Sequence, residues 1–155
     1  MYGYDHCLSL VLATKYPNLF EERACYNNVY HMVFEYLEEL QPREKLRILF
    51  CYRPGPDGHY YRHVFAVLDG KLIEPLLYLD MSEENRESII PIKEMSVKEY
   101  LDYLCSEAET QLRDSLYQYD LEVVKSAEIL KILNPYDLAN LYRKVDTEWI
   151  PEEYK

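Results

Sequence analysis

A cysteine, a histidine and an acidic residue occur in the first half of the sequence at positions where they could act together. Cys25 lies in the segment ERACYNNVYHMVFEYLEEL (residues 22–40), where a helical pattern begins. The unpaired N–H groups and the dipole at the start of a helix favour negative charge, so a cysteine there can become a nucleophilic thiolate. A buried apolar role is the alternative for Cys25, because cysteine is among the residue types most often found in protein cores.

The histidine and the acid lie on a hairpin pattern, HYYRHVFAVLDGKLIEPLLYL (residues 59–79). Asp69-Gly70 is a favoured two-residue hairpin turn, and it sets Phe65 opposite Glu74. Because side chains alternate along strands, His63 and Glu74 then share one face as diagonal neighbours, roughly 7–8 Å apart between backbones. This face is mostly apolar, and we expect the second helix to cover it. A histidine held by a carboxylate would then approach the cysteine, which is the arrangement that activates a thiol nucleophile.

The elements that must position these residues indicate an α+β fold, with N-terminal helices packed on a small antiparallel β-sheet and followed by C-terminal helices. Helices are expected from a cap at Asp5 to about Lys15 and from Cys25 to Leu40. Strands are expected over 45–53, on both sides of the hairpin turn and over 88–94, where Pro91 favours an edge or a bulge. Further helices are expected after a capping box at Ser96 and Glu99, around 106–118 and 121–132, and from Asn134-Pro135 to about Val145.

The length and charge of the chain limit its organisation and its partners. The 155 residues suffice for one domain whose core needs no metal or disulfide, so we expect a single domain over 1–155 with 96–155 as a helical C-terminal extension. The net charge is −11, and residues 79–155 carry 18 acidic and 9 basic side chains. This acidity disfavours binding to a phosphate backbone, so no nucleic-acid partner is expected.

The sequence also predicts a cytoplasmic protein. Its first residues, MYGYDHCLSLVLATKYP, have no basic region and only a short apolar run, so neither a signal peptide nor contact with a membrane is expected. No CxxC pair occurs, and in the cytoplasm cysteines stay reduced. The four cysteines are Cys7, Cys25, Cys51 and Cys105.

The order of the candidate residues resembles the papain-like thiol hydrolases, in particular their NlpC/P60 and transglutaminase-like branch. In that superfamily a cysteine starts a helix, and after further strands a histidine opens a hairpin whose return strand carries an acid. The matching segments are ACYNNVY (24–30) and HVFAVLDGKLIEP (63–75). The resemblance implies Cys25 as nucleophile, His63 as base and Glu74 as the acid that orients the base. Glu74 departs from the Asp or Asn usual in the family.

The same resemblance implies a reaction class without a cofactor. Cys25 would attack an amide, peptide or isopeptide bond in a peptide or protein substrate. A catalytically inactive binding or accessory module on the same fold, for example one derived from a phage, is an alternative, with a protein partner instead of a substrate. A transglutaminase- or deamidase-type acyl transferase is another, because a thioester can be intercepted by an amine or by water.

Metal binding is a third interpretation of the polar residues. The segments DGHYYRH (57–63) and DHC (5–7) each contain His together with Asp or Cys. A spacing of four residues aligns ligands on a helix but not on a strand that follows a glycine, so we expect no metal site.

Overall fold

The structure, a computed structural model, describes residues 1–35, 37–106, 119–120, 123 and 129–144, and it has an α+β fold. The strands are β1 (Gly3–Tyr4), β2 (Leu46–Pro54), β3 (Tyr60–Leu68), β4 (Lys71–Ile73) and β5 (Ile90–Ser96). The α-helices are α1 (His6–Lys15), α2 (Cys25–Phe34), α3 (Glu83–Glu87), α4 (Val97–Ser106) and α5 (Pro135–Lys144). Short 3₁₀ turns are formed by Glu38–Leu40, Arg43–Lys45 and Ile129–Lys131. None of the described helices combines the length and the apolar surface that crossing a membrane requires.

The five strands form one mixed sheet in the order β1-β4-β3-β2-β5. β1 is parallel to β4, and all other neighbours are antiparallel. The hairpin has the predicted register, with Leu68 opposite Lys71, and the turn residues Asp69 and Gly70 have positive φ angles of 52° and 73°. β4 is only three residues long, so in the described structure it leaves the first two thirds of this edge of β3 without a strand beside it.

Part of the uncovered edge of β3 is occupied by the chain that leads into α5. The Tyr60 N–H group donates to the Ile132 carbonyl at 2.7 Å, and the Asn134 N–H group donates to the Tyr60 carbonyl at 3.1 Å. The Arg62 N–H group donates to Asp137 Oδ2 at 2.9 Å. These bonds satisfy backbone groups that an adjoining strand would otherwise pair.

Both faces of the sheet are buried, and they are covered by different elements. α2 and α4 cover one face, where Val29, Met32, Val33 and Tyr100 pack with Ile48, Phe50, Val64 and Ala66. The other face carries Leu49, Cys51, Phe65, Val67 and Leu72 and is covered by Tyr2, Tyr4, Met81 and Ile89.

The expectation that α2 covers the face of His63 is therefore wrong. His63 alternates with Val64 along β3, and α2 packs on the face of Val64. The sequence could not distinguish the two faces because β3 is apolar on both sides between Val64 and Val67.

Three predicted helix starts are confirmed by their caps. Asp5 Oδ1 accepts a hydrogen bond from the Leu8 N–H group at 2.9 Å at the start of α1. Asn134 Oδ1 accepts from the Asp137 N–H group at 2.9 Å before α5. The side chains of Ser96 and Glu99 each accept from the other residue's N–H group, which is the predicted capping box.

Other boundaries differ from the prediction. α2 ends at Phe34 rather than at Leu40, although Leu37 and Leu40 are both buried, so part of the apolar spacing reflects core contacts made outside the helix. The predicted strand over 88–94 is β5, an edge strand with a register shift near Pro91. The predicted helices around 106–118 and 121–132 lie mostly outside the described residues. β1 and α3 were not expected from the sequence.

A buried ion pair connects β3 to the C-terminal half of the chain. Arg62 Nε and Nη2 donate to the two carboxylate oxygens of Asp120 at 2.8 and 3.0 Å, and the side chains are 3 % and 0 % exposed. The Tyr52 hydroxyl also donates to Asp120. Burial raises the pKa of Asp120, against the opposing charge of Arg62. The carboxylate therefore depends on Arg62 and Tyr52 to offset its loss of water.

Asp120→Asn should lower the free energy of unfolding by about 3–5 kcal/mol, because it removes the negative charge from a buried, doubly hydrogen-bonded ion pair. Glu94→Gln is the matched control, since it removes the acid from the half-exposed Arg47–Glu94 pair of the same sheet. The control should lower the free energy of unfolding by only about 0.2–1 kcal/mol. Urea unfolding followed by circular dichroism measures both variants. Equal losses would contradict a structural role for the buried pair.

Candidate active site

Cys25 is the first residue of α2 and lies against the edge of β3 that β4 leaves uncovered. The N–H groups of Tyr60, Arg62 and Val64, at alternate positions, point towards this edge. The first two are bonded to the C-terminal region, whereas the Val64 N–H group donates to the Cys25 thiol. The thiol is partly buried. The start of α2 has no side-chain cap within the described chain, so N–H groups of its first turn remain for a ligand.

The loop before Cys25 is held by a buried asparagine. Asn28 Oδ1 accepts from the Glu21 N–H group at 3.0 Å, and Asn28 Nδ2 donates to the Glu21 carbonyl at 2.9 Å. Arg23 has a left-handed φ of 57°, which costs a non-glycine residue about 1–2 kcal/mol. The two Asn28 bonds help to keep the chain in this turn, and the turn directs the chain into α2 at Cys25.

His63 and Glu74 are joined by a short buried hydrogen bond, with 2.6 Å between His63 Nε2 and Glu74 Oε1. Their side chains are 9 % and 5 % exposed. The prediction that the hairpin places both residues on one face is confirmed. Because Nε2 contacts Glu74, Nδ1 is the ring nitrogen left to interact with Cys25. The ring of Phe65 lies 4.4 Å from that of His63 between centroids and restricts its rotation.

Glu74 is itself fixed at three points. Its Oε1 atom contacts His63, and its Oε2 atom accepts from the Leu76 N–H group at 3.2 Å. The Glu74 N–H group donates to Ser9 Oγ at 3.0 Å, and Ser9 in turn donates to the Asp5 carbonyl at 2.7 Å. The acid is therefore aligned by α1 as well as by the hairpin.

The electrostatics of the site favour a charged pair of Cys25 and His63. Burial would raise the pKa of the Cys25 thiol, but the charge of His63 and hydrogen bonds from His63 and Val64 lower it overall. Burial would lower the pKa of His63, but the charge of Cys25 and hydrogen bonds to Cys25 and Glu74 raise it to about 9. The two shifts have opposite signs, and both favour thiolate with imidazolium over the neutral forms.

Two other cysteines with described side chains have different surroundings. Cys51 lies opposite His63 across β2 and β3, but it is fully buried and burial raises the pKa of its thiol. Cys7 is exposed on α1. The side chain of Cys105 lies outside the described residues. The pKa of the Cys25 thiol is lowered, in the opposite direction to that of Cys51.

The structure engages His63 of the metal interpretation apart from Asp57 and His59, which contact each other. Asp57 accepts hydrogen bonds from the His59 N–H group and the Tyr61 hydroxyl on an exposed loop, whereas His63 is bonded to Glu74. Within the described ranges, no group of three or more His, Cys, Asp or Glu side chains could hold a metal ion.

Ser9 and Asn28 are positioning residues that the sequence did not reveal. Ser9 reaches Glu74 because β1 pairs with β4 and starts α1 beside the end of the hairpin. Asn28 lies one turn after Cys25, and nothing in its spacing indicates a bond to Glu21. Contacts of this kind depend on tertiary structure and have no local signal.

No family model, curated protein or solved structure matches this chain.

The ring of His63 should lose its raised pKa when Cys25 is removed. Cys25→Ala eliminates the negative charge that contributes most to the increase, while burial continues to lower the pKa, so the value should fall from about 9 to about 6.5 or below. Glu74→Gln should also lower it. NMR titration of the imidazole signals measures both effects, with the other three histidines as internal controls. A His63 pKa that is equal in wild type and Cys25→Ala would contradict the charged pair.

Proposed function

We propose that the protein is a thiol-dependent hydrolase that cleaves an amide, peptide or isopeptide bond by means of Cys25, His63 and Glu74. The observation that supports this most directly is the arrangement of a thiol, an imidazole and a carboxylate. His63 is hydrogen-bonded to Glu74, and the charges of Cys25 and His63 shift each other's pKa. A nucleophile, a base and a group that orients the base are the parts that covalent catalysis by a thiol needs. The resemblance of the sequence to papain-like hydrolases agrees with this assignment.

In the first half of the proposed reaction, the Cys25 sulfur attacks the substrate carbonyl carbon. The carbonyl electron pair moves to oxygen, and the Cys25 N–H group at the uncapped start of α2 stabilises the resulting negative charge. His63 gives its proton to the leaving nitrogen. The amine departs, and a thioester with Cys25 remains.

In the second half, neutral His63 removes a proton from a water molecule that attacks the thioester carbon. The carboxylic acid is released, the thiolate returns, and His63 is again protonated. Glu74 holds the ring in one orientation throughout and stabilises its positive charge, as the 2.6 Å hydrogen bond indicates.

The proposed substrate is a peptide or protein, and no cofactor takes part in these steps. A reducing compartment such as the cytoplasm would keep the Cys25 thiol active. We propose one papain-like domain over residues 1–155, with 96–155 as its C-terminal extension. The bonds of Asn134 and Asp137 to the β3 edge at Tyr60 and Arg62, next to Val64, support this.

A binding module without turnover is the second candidate, and one observation favours it. An open cavity of about 630 Å³ is lined by Tyr16, Asn18, Leu19 and residues that follow α2, including Leu37. It lies at the end of α2 opposite to Cys25, roughly 15 Å away for a ten-residue helix. A partner could occupy this cavity without contacting the thiol.

Cys25 should react with iodoacetamide at a lower pH than Cys7, which is exposed on α1 and serves as an internal control. Peptide mass spectrometry of native protein labelled between about pH 5 and 9 measures both rates. His63→Ala should move the Cys25 profile upwards, because it removes the positive charge that stabilises the thiolate. Labelling of Cys25 that rises only near the pKa of a free thiol, about 8.5, would contradict the proposal.

The protein should also form an acetyl thioester at Cys25 with p-nitrophenyl acetate. Intact-mass spectrometry detects the acetyl group, and absorbance of p-nitrophenolate measures turnover; Cys25→Ala is the control. Repeated turnover supports a hydrolase, and turnover that increases on addition of an amine supports an acyl transferase. Native protein that is never acetylated at Cys25, or whose acetyl thioester persists, would support the inactive binding module instead.

A further inference from the structure

The cavity beside the end of α2 combines an apolar lining with acidic side chains. Its volume of about 630 Å³ lies within the range of ~300–1,000 Å³ that is typical of ligand pockets. The apolar part is formed by Tyr16, Pro17, Leu19 and Leu37, and the acidic part by Glu35 and Glu38. None of the described residues that line the cavity is basic.

The lysine that precedes Tyr16 does not neutralise these acids, because it is paired with a different one. Lys15 Nζ donates to Glu39 Oε1 at 2.5 Å, and the Tyr16 hydroxyl donates to Glu39 Oε2 at 2.9 Å. Glu35 and Glu38 are exposed. Glu35 Oε1 lies 3.7 Å from His31 Nδ1, which is longer than a hydrogen bond. The electrostatic potential at the cavity is therefore negative.

An exposed aromatic pair continues this surface along the outer side of α2. Tyr30 and Phe34 are 41 % and 47 % exposed, and their rings are stacked with 4.2 Å between centroids. They are one helical turn apart, and Phe34 directly precedes Glu35 of the cavity. Grouped exposed apolar side chains, unlike scattered ones, are typical of interaction sites. The cavity and this aromatic pair are together called the α2-end surface.

Charge limits the kind of partner that fits the α2-end surface. The whole chain has a net charge of −11, so a second copy would bring like charge to Glu35 and Glu38. Nucleic acids and anionic membranes are disfavoured for the same reason. A partner that is cationic but not apolar would leave the aromatic pair and the apolar lining in water. A segment that carries both kinds of side chain complements the acids and the apolar surface together.

We propose that the α2-end surface binds a segment of another protein in which Lys or Arg side chains flank apolar side chains. The apolar side chains would fill the cavity against Leu19 and Leu37, and the cations would lie beside Glu35 and Glu38. This inference goes beyond the proposed hydrolase. It holds whether or not Cys25 turns over, because the thiol lies at the other end of α2.

Binding of three short synthetic peptides, measured by fluorescence anisotropy, tests the inference. One peptide alternates Leu and Lys, the second alternates Leu and Glu, and the third alternates Ser and Lys. We expect the Leu/Lys peptide to bind at least about ten-fold more tightly than either of the others. Its affinity should be equal for wild type and for Cys25→Ala, which cannot cleave it. Equal affinities of the Leu/Lys and Ser/Lys peptides would overturn the inference, because net charge alone would explain them.

A pair of matched variants distinguishes the local acids from the net charge of the chain. Glu35→Gln combined with Glu38→Gln should weaken binding of the Leu/Lys peptide several-fold. Glu83→Gln combined with Glu87→Gln removes the same charge from α3, which borders the opposite face of the sheet, and should leave the affinity unchanged. Equal losses in the two double variants would overturn the inference.

The aromatic pair has a matched control as well. Phe34→Ser should weaken binding of the Leu/Lys peptide, whereas Leu77→Ser, at a similarly exposed residue in the loop after Glu74, should not. Circular dichroism verifies that both variants are folded, as expected for exposed side chains. In amide NMR spectra, the peptide should shift the signals of Leu19 and Glu35. Shifts confined to the surroundings of Cys25 would assign the peptide to the catalytic site and overturn the inference.

Sedimentation of the free protein tests the alternative occupant. We expect a monomer, because the acids of the α2-end surface repel those of a second copy. A dimer that Phe34→Ser dissociates would assign the surface to self-association and would overturn the inference.

Discussion

The buried hydrogen bond between His63 and Glu74 depends on a hairpin whose return strand ends at Ile73. A longer β4 would continue along β3 and pair with Val64, and the start of α2 could not then reach the edge of the sheet. Because β4 is short, the Val64 N–H group is left for the Cys25 thiol. The geometry of the site is thus a consequence of an incomplete sheet.

Burial and charge act against each other throughout this region. Loss of water alone would keep both Cys25 and His63 neutral, but each supplies the charge that the other needs, and Glu74 adds a second anion on the far side of the ring. Arg62, on the same sheet, is likewise buried with an opposite charge beside it, that of Asp120.

Much of the local structure could be predicted from the sequence. The Asp69-Gly70 turn fixed the register of the hairpin, and the register brought His63 and Glu74 to one face. The position of α2 could not be predicted, because β3 is apolar on both sides and a pattern of period two does not say which face a helix covers. The contacts of Ser9 and Asn28 arise from tertiary structure, and no pattern in the sequence around either residue predicts them.

The central claim is that the folded protein lowers the pKa of the Cys25 thiol and so favours its thiolate. The most direct measurement is the ultraviolet absorbance of the thiolate, recorded against pH for wild type and for Cys25→Ala. The difference isolates the Cys25 sulfur from the other three cysteines, Cys7, Cys51 and Cys105. The account predicts that the difference develops at a pH below the ordinary thiol pKa of about 8.5, because the charge of His63 lowers the pKa of Cys25. A difference that develops only at or above that value would show that Cys25 is an ordinary thiol.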